Sequence, residues 1–107
     1  MHQKYFIKNM KKLIKDLKLS DECYRVYDNG CLEILYLLSN VDEDNELGMN
    51  KMLFHTKYNQ VYKFYQFGNE NYIMNELDTI YVNKQDAIDN LKRIKNRVNE
   101  SLEKLEE

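Results

Sequence analysis

The sequence predicts an α+β fold: an antiparallel sheet of about four to six strands flanked by an N-terminal helix and a long C-terminal helix. Three observations carry that expectation. Apolar residues recur at helical spacing at both ends of the chain. The middle breaks into short alternating runs rich in Tyr, Ile, Val and Leu. Polar turn signals, such as Asp28-Asn29-Gly30, separate those runs. A chain of 107 residues reads as one domain, 1–107, and can bury roughly two-thirds of its unfolded surface. Hydrophobic residues make up 43% and charged residues 32%, the balance of a globular rather than a disordered chain.

The N-terminal segment "KYFIKNMKKLIKDLK" predicts a helix over about 4–18. At 100° per residue Phe6, Ile7, Met10, Leu13, Ile14 and Leu17 fall within an arc of about 120°. Six lysines, from Lys4 to Lys18, occupy the opposite side. "CYRVYDNGCLEILYLL" then predicts a β-hairpin. A two-residue Asn29-Gly30 turn sets Arg25 among Leu32, Ile34 and Tyr36. A three-residue Asp28-Asn29-Gly30 loop, with Gly30 in the left-handed region, instead pairs Arg25 with Glu33, Val26 with Leu32 and Tyr24 with Ile34. The second register matches charge with charge and apolar with apolar, so it is the one expected. It also separates Cys23 from Cys31, and no disulfide is expected.

Residues 39–50 read as the one flexible connection. "KMLFHTK" and "QVYKFYQF" predict two strands around Tyr58-Asn59, and "NYIMNE" and "TIYVN" two more. The last segment predicts a helix over about 84–105, with Asn83 as its N-cap and Asp86 in its first turn. Ala87, Ile88, Leu91, Ile94, Val98, Leu102 and Leu105 share one face. Each helix has one apolar stripe, so both are expected to cover the same face of the sheet. At 1.5 Å per residue the second helix is about 33 Å long, and its last turns are expected to overhang. The overhang is expected to pack on the N-terminal helix or on a second subunit, which makes residues 98–105 a homodimer candidate.

Formal net charge is −2, unevenly spread: residues 1–20 carry six Lys and one Asp, residues 21–56 two basic and eight acidic groups. Four carboxylates crowd "VDEDNELGMN": Asp42, Glu43, Asp44 and Glu46. An EF-hand counted from Asp42 fails at its two diagnostic places, since Leu47 stands at position 6 and Leu53 at position 12. The stretch is then a solvated loop or a phosphate-mimicking decoy for a basic surface. Cys23, Cys31 and His55 match no zinc spacing, so no metal and no cofactor are expected. Three isolated glycines make no phosphate loop, and no nucleophile–base pair is legible, so no catalysis is expected. The longest apolar run, "ILYLL", is too short to span a bilayer, and lysines interrupt the N-terminus. A cytoplasmic protein without a membrane partner is expected.

Aromatics interleave with cations in "KYNQVYKFYQF": Tyr58, Tyr62, Tyr65 and Phe67 lie beside Lys57 and Lys63. Such runs serve protein interfaces and single-stranded nucleic-acid platforms. Small size, charge polarity, abundant Tyr, Asn, Lys and Ile, and this aromatic sheet resemble small phage and mobile-element proteins. Among these are anti-CRISPR and other anti-defence inhibitors and toxin-immunity proteins. The resemblance implies a non-catalytic inhibitor. In that role Asp42, Glu43, Asp44, Glu46, Tyr58, Tyr62, Tyr65 and Phe67 engage a basic, nucleic-acid-binding surface of a host nuclease. The alternatives are a nucleic-acid-binding regulator using the lysine stripe and aromatic sheet, and a homodimeric structural protein.

Overall fold

The computed structural model describes residues 11–44 and 47–107. A 3-10 turn at Ile14–Asp16 precedes six strands: β1 (Glu22–Tyr27), β2 (Leu32–Asp44), β3 (Met49–His55), β4 (Val61–Phe67), β5 (Tyr72–Met74) and β6 (Asp78–Tyr81). One long helix, α1 (Lys84–Glu106), follows. The sheet order is β4-β3-β2-β1-β6-β5, antiparallel throughout.

The first hairpin adopts the charge-matched register: Arg25 pairs with Glu33, Val26 with Leu32 and Tyr24 with Ile34. Gly30 takes φ +91°, the left-handed turn that a side chain resists. The second hairpin turns where expected. Thr56 Oγ1 accepts from the N–H groups of Tyr58 and Gln60, and Asn59 takes φ +63°.

The sheet does not lie flat under two helices. It rolls almost into a barrel. β2 has 13 residues, about 43 Å of strand, and its ladder to β3 slips at Leu37/Ser39 and again at Asp42/Asp44. Each slip lets the strand bend and adds twist. The roll brings edge strand β4 back toward β1 and β5. Arg25 of β1 stands 4.9 Å from the Tyr62 ring, although β2 and β3 lie between them in the sheet. Gln66 Nε2 donates to the Tyr72 carbonyl of β5, the other edge, at 3.1 Å.

The main core fills this roll: Cys23, Leu35, Leu37, Met52, Phe54, Ile73, Ile80 and Val82, with Tyr62 and Phe64 packed against them. A smaller core lies outside, where Ala87, Leu91 and Ile94 of α1 meet Tyr24, Val26 and Tyr81.

Three expectations are corrected here. The helix expected over 4–18 begins outside the described residues, and its described part is only a 3-10 turn. The reason is tertiary hydrogen bonding: Ile14 N–H donates to Glu70 O and Lys15 N–H to Gly68 O, so neither joins an α-helical ladder. Nor do the two apolar stripes share a face. Ile14 and Leu17 plug one end of the roll, whereas α1 packs on its outside. Finally, the connection expected over 39–50 is largely strand: Asn40 pairs with Met52, Val41 with Lys51 and Asp42 with Asn50.

The long C-terminal helix is as expected, but Asn83 caps it differently. Its carboxamide makes no cap bond; it accepts from Lys12 N–H and donates to Lys12 O. It thereby ties the N-terminal segment to the start of α1.

Candidate interaction surface

Among the described residues α1 covers only the β1 and β6 side, and the outer face of β2, β3 and β4 carries no helix. Pairing sets its side chains in rows. Tyr36, His55 and Val61 form one row; Ser39, Leu53 and Lys63 the next. Val41, Lys51 and Tyr65 form a third, and Met49 beside Phe67 begins a fourth. Alternation forces this arrangement once Phe54, Met52, Tyr62 and Phe64 are drawn inside. Val41, Val61, Tyr65 and Phe67 are exposed by 54%, 57%, 47% and 44% on this one face, with Lys63 between Val61 and Tyr65 and Lys51 between Val41 and Tyr65. Tyr36 stacks on His55 with ring centroids 5.3 Å apart. Lys63 Nζ stands 5.9 Å from the Tyr65 ring.

The eight residues expected to bind a partner separate in space. Tyr65 and Phe67 lie on this face. Tyr58 lies beyond its far end in the β3–β4 turn, with Lys57 Nζ 5.1 Å from its ring. There it helps line a cleft of about 580 Å³ with Lys57, Tyr36 and Leu32. Tyr62 points into the roll toward Arg25, so it is not a surface residue of this face. Asp42 is exposed at the end of β2 and lines a hollow of about 340 Å³ with Phe67, Leu47 and Lys15. The backbones of Glu43 and Asp44 belong to the same strand, and Glu46 lies outside the described residues. Asp42 and Phe67 therefore line one hollow at the edge of the face, Asp42 from the row it shares with Asn50 and Gln66.

Val41, Leu53 and Val61 were not singled out from sequence, yet they share this face with the aromatics. The alternation of β4 sets Val61 on the face of Tyr65 and Phe67. The bulges in β2 hid Val41, because each slip resets which residues face out.

Inside the open end of the roll sits an ionic cluster. Arg25 Nε and Nη2 donate to Asp78 Oδ2 at 3.0 and 2.9 Å, and Nη1 approaches Glu33 Oε1 at 3.5 Å. The guanidinium is ringed by Tyr27, Tyr62 and Phe64 at 5.0, 4.9 and 5.7 Å. Burial works to lower the Arg25 pKa, but the hydrogen bond and charge of Asp78, with Tyr27 and Glu33, outweigh it and hold the group above its ordinary value. The cluster is internally satisfied by these hydrogen bonds. Burial, with the charge of Asp21, pushes the Cys23 thiol up to about 12, so it carries no thiolate at neutral pH. Cys31 is a free thiol on the surface.

Among the described residues no group of three or more His, Cys, Asp or Glu is placed to hold a metal ion. No described helix is long and apolar enough to cross a membrane. No protein-family model matches the chain, and neither a curated protein sequence nor a solved structure is detectably similar to it.

Proposed function

We propose that the chain is a non-catalytic, protein-binding inhibitor of the phage anti-defence type, and that the outer face of β2–β3–β4 is its docking surface. One observation supports this above the rest: among the described residues no helix covers that face, which carries Val41, Val61, Tyr65 and Phe67. Aromatic residues anchor protein interfaces, because they bury large area at small conformational cost. Asp42, near the end of β2, lines one hollow with Phe67, which suits a basic target such as the nucleic-acid groove of a nuclease. Charge would speed the encounter and the aromatics would hold the complex.

The test is capture of the partner by the tagged protein, with and without nuclease treatment, beside two variants. A protein partner that survives nuclease, is lost with Tyr65→Ser/Phe67→Ser, and weakens when Asp42, Glu43, Asp44 and Glu46 are made Asn or Gln supports the reading. A partner indifferent to both variants sinks it.

One observation favours a second reading. Lys57 and Lys63 stand over Tyr58 and Tyr65, the cation–aromatic pairing that single-stranded nucleic acids use. Recovery of nucleic acid, with affinity falling steeply as salt rises, would select that reading.

A further inference from the structure

α1 continues beyond the surface that supports it. Ala87, Leu91 and Ile94 pack on Tyr24, Val26 and Tyr81, and there the support ends. The apolar stripe does not end. Val98, Leu102 and Leu105 extend it, exposed by 53%, 48% and 84%. With Ser101 and with Asp28 of the β1–β2 turn they line a groove of about 470 Å³. A helical segment of about a dozen residues is marginal in water by itself. An amphipathic one of this kind is built to be covered.

Charge identifies what covers it. Residues 92–97 carry Lys92, Arg93, Lys95 and Arg97 and no acid. Residues 98–107 carry Glu100, Glu103, Glu106 and Glu107 against Lys104 alone. At 100° per residue the charges that flank the Val98–Leu102–Leu105 stripe are Lys95 and Glu106, and two such segments laid antiparallel about Glu100–Ser101 bring Lys95 of each beside Glu106 of the other, twice over. Laid parallel, they set like against like. The helix macrodipoles also favour the antiparallel arrangement. Near the midpoint Ser101 turns its hydroxyl back onto its own helix, donating to Arg97 O at 3.0 Å, which leaves a small, satisfied side chain at the crossing.

We propose that the distal half of α1 is a self-association site, pairing antiparallel with the same segment of a second copy about a two-fold axis near Glu100–Ser101. The contact is isologous and closes at two copies. It uses none of the β2–β3–β4 face, so it stands or falls separately from the proposed function.

The experiment is molar mass of the full chain by sedimentation and by light scattering, across concentration and salt. The expected result is a reversible rise from 13.0 kDa toward twice that mass, weakened by added salt. A monomer up to several hundred micromolar overturns the proposal. Leu102→Asp, at a half-exposed position that leaves the fold intact by circular dichroism, is expected to raise the dimer dissociation constant at least tenfold; an unchanged constant overturns it. Orientation has its own test. K95E and E106K should each weaken the dimer, and the two combined in one chain should restore it. No restoration, or a dimer strengthened by salt, rules out the antiparallel pairing.

Discussion

Arg25 ties three strands together, pairing with Glu33 of β2 and Asp78 of β6 from its place on β1. The hairpin register set it against Glu33, and the roll added Asp78 and the aromatic rings, which no local pattern announces. Its side chain is 15% exposed and that of Asp78 6%. Removing one partner of such a pair leaves a charge poorly compensated. Asp78→Ala is expected to destabilise by about 2 kcal/mol, below the range for a fully enclosed pair, because Glu33 remains nearby. Arg25→Met/Asp78→Leu should recover most of that loss, and a double-mutant cycle on urea midpoints reads the coupling. Additive effects would show that the pair does not act as a unit. Asp21 offers a pH test. The Lys18 N–H bonds to its carboxylate at 2.9 Å and, against a burial effect in the other direction, holds its pKa below the usual 3.8, with Lys12 helping. The folded value is depressed, so the stability from Asp21 is complete above about pH 4 and is lost as pH falls through the folded value. Asp21→Asn should flatten the urea midpoint against pH below 4 relative to the parent; an unchanged slope refutes the assignment.

Among the elements, the N-terminal segment departs furthest from its pattern. Ile14 and Leu17 have helical spacing with Leu13 and Met10, but the end of the roll takes Ile14 and leaves it 0% exposed. Its carbonyl accepts from Asn40 Nδ2 at 2.8 Å, and Asn50 Nδ2 donates to Asn40 Oδ1 at 2.8 Å. Gly68 completes the site by its smallness, since a Cβ there would lie 2.8 Å from Asn50 Oδ1. Ile14→Ala is expected to cost about 3 kcal/mol, a lost transfer term plus the cavity. A loss under about 1 kcal/mol in thermal or urea unfolding would mean that the turn is not a plug. Asn83 teaches the same lesson: a good N-cap residue was legible, but Lys12 was close enough to claim its carboxamide.

On the scale of the whole molecule, the face that α1 leaves uncovered follows from the way the sheet closes. A flat sheet under two helices would hide one face and expose the other. A roll hides its inside by itself and needs only one helix outside. Among the described residues no helix then covers β2–β3–β4, which presents Val41, Val61, Tyr65 and Phe67. These residues stay about half exposed and contribute only part of a buried side chain's worth to folding. Tyr65→Ser/Phe67→Ser is therefore expected to lower unfolding free energy by about 2 kcal/mol, leaving the chain folded while abolishing partner capture. A variant that unfolds instead would show that these residues belong to the core.

Local pattern by itself determined a good deal. The charge-matched hairpin, the strands around Tyr58-Asn59, the alternation of β4 and the long C-terminal helix are all set by residues within a few positions of one another, through side-chain direction, turn chemistry and helical periodicity. Tertiary structure alone decided that the sheet rolls, that Ile14 plugs it, and that Tyr62 faces Arg25 and not solvent. Each of these depends on where β4 lies relative to β1, or β5 relative to the 3-10 turn. Those distances are fixed by the bulges in β2 and by the packing of one core, which no window of neighbouring residues contains.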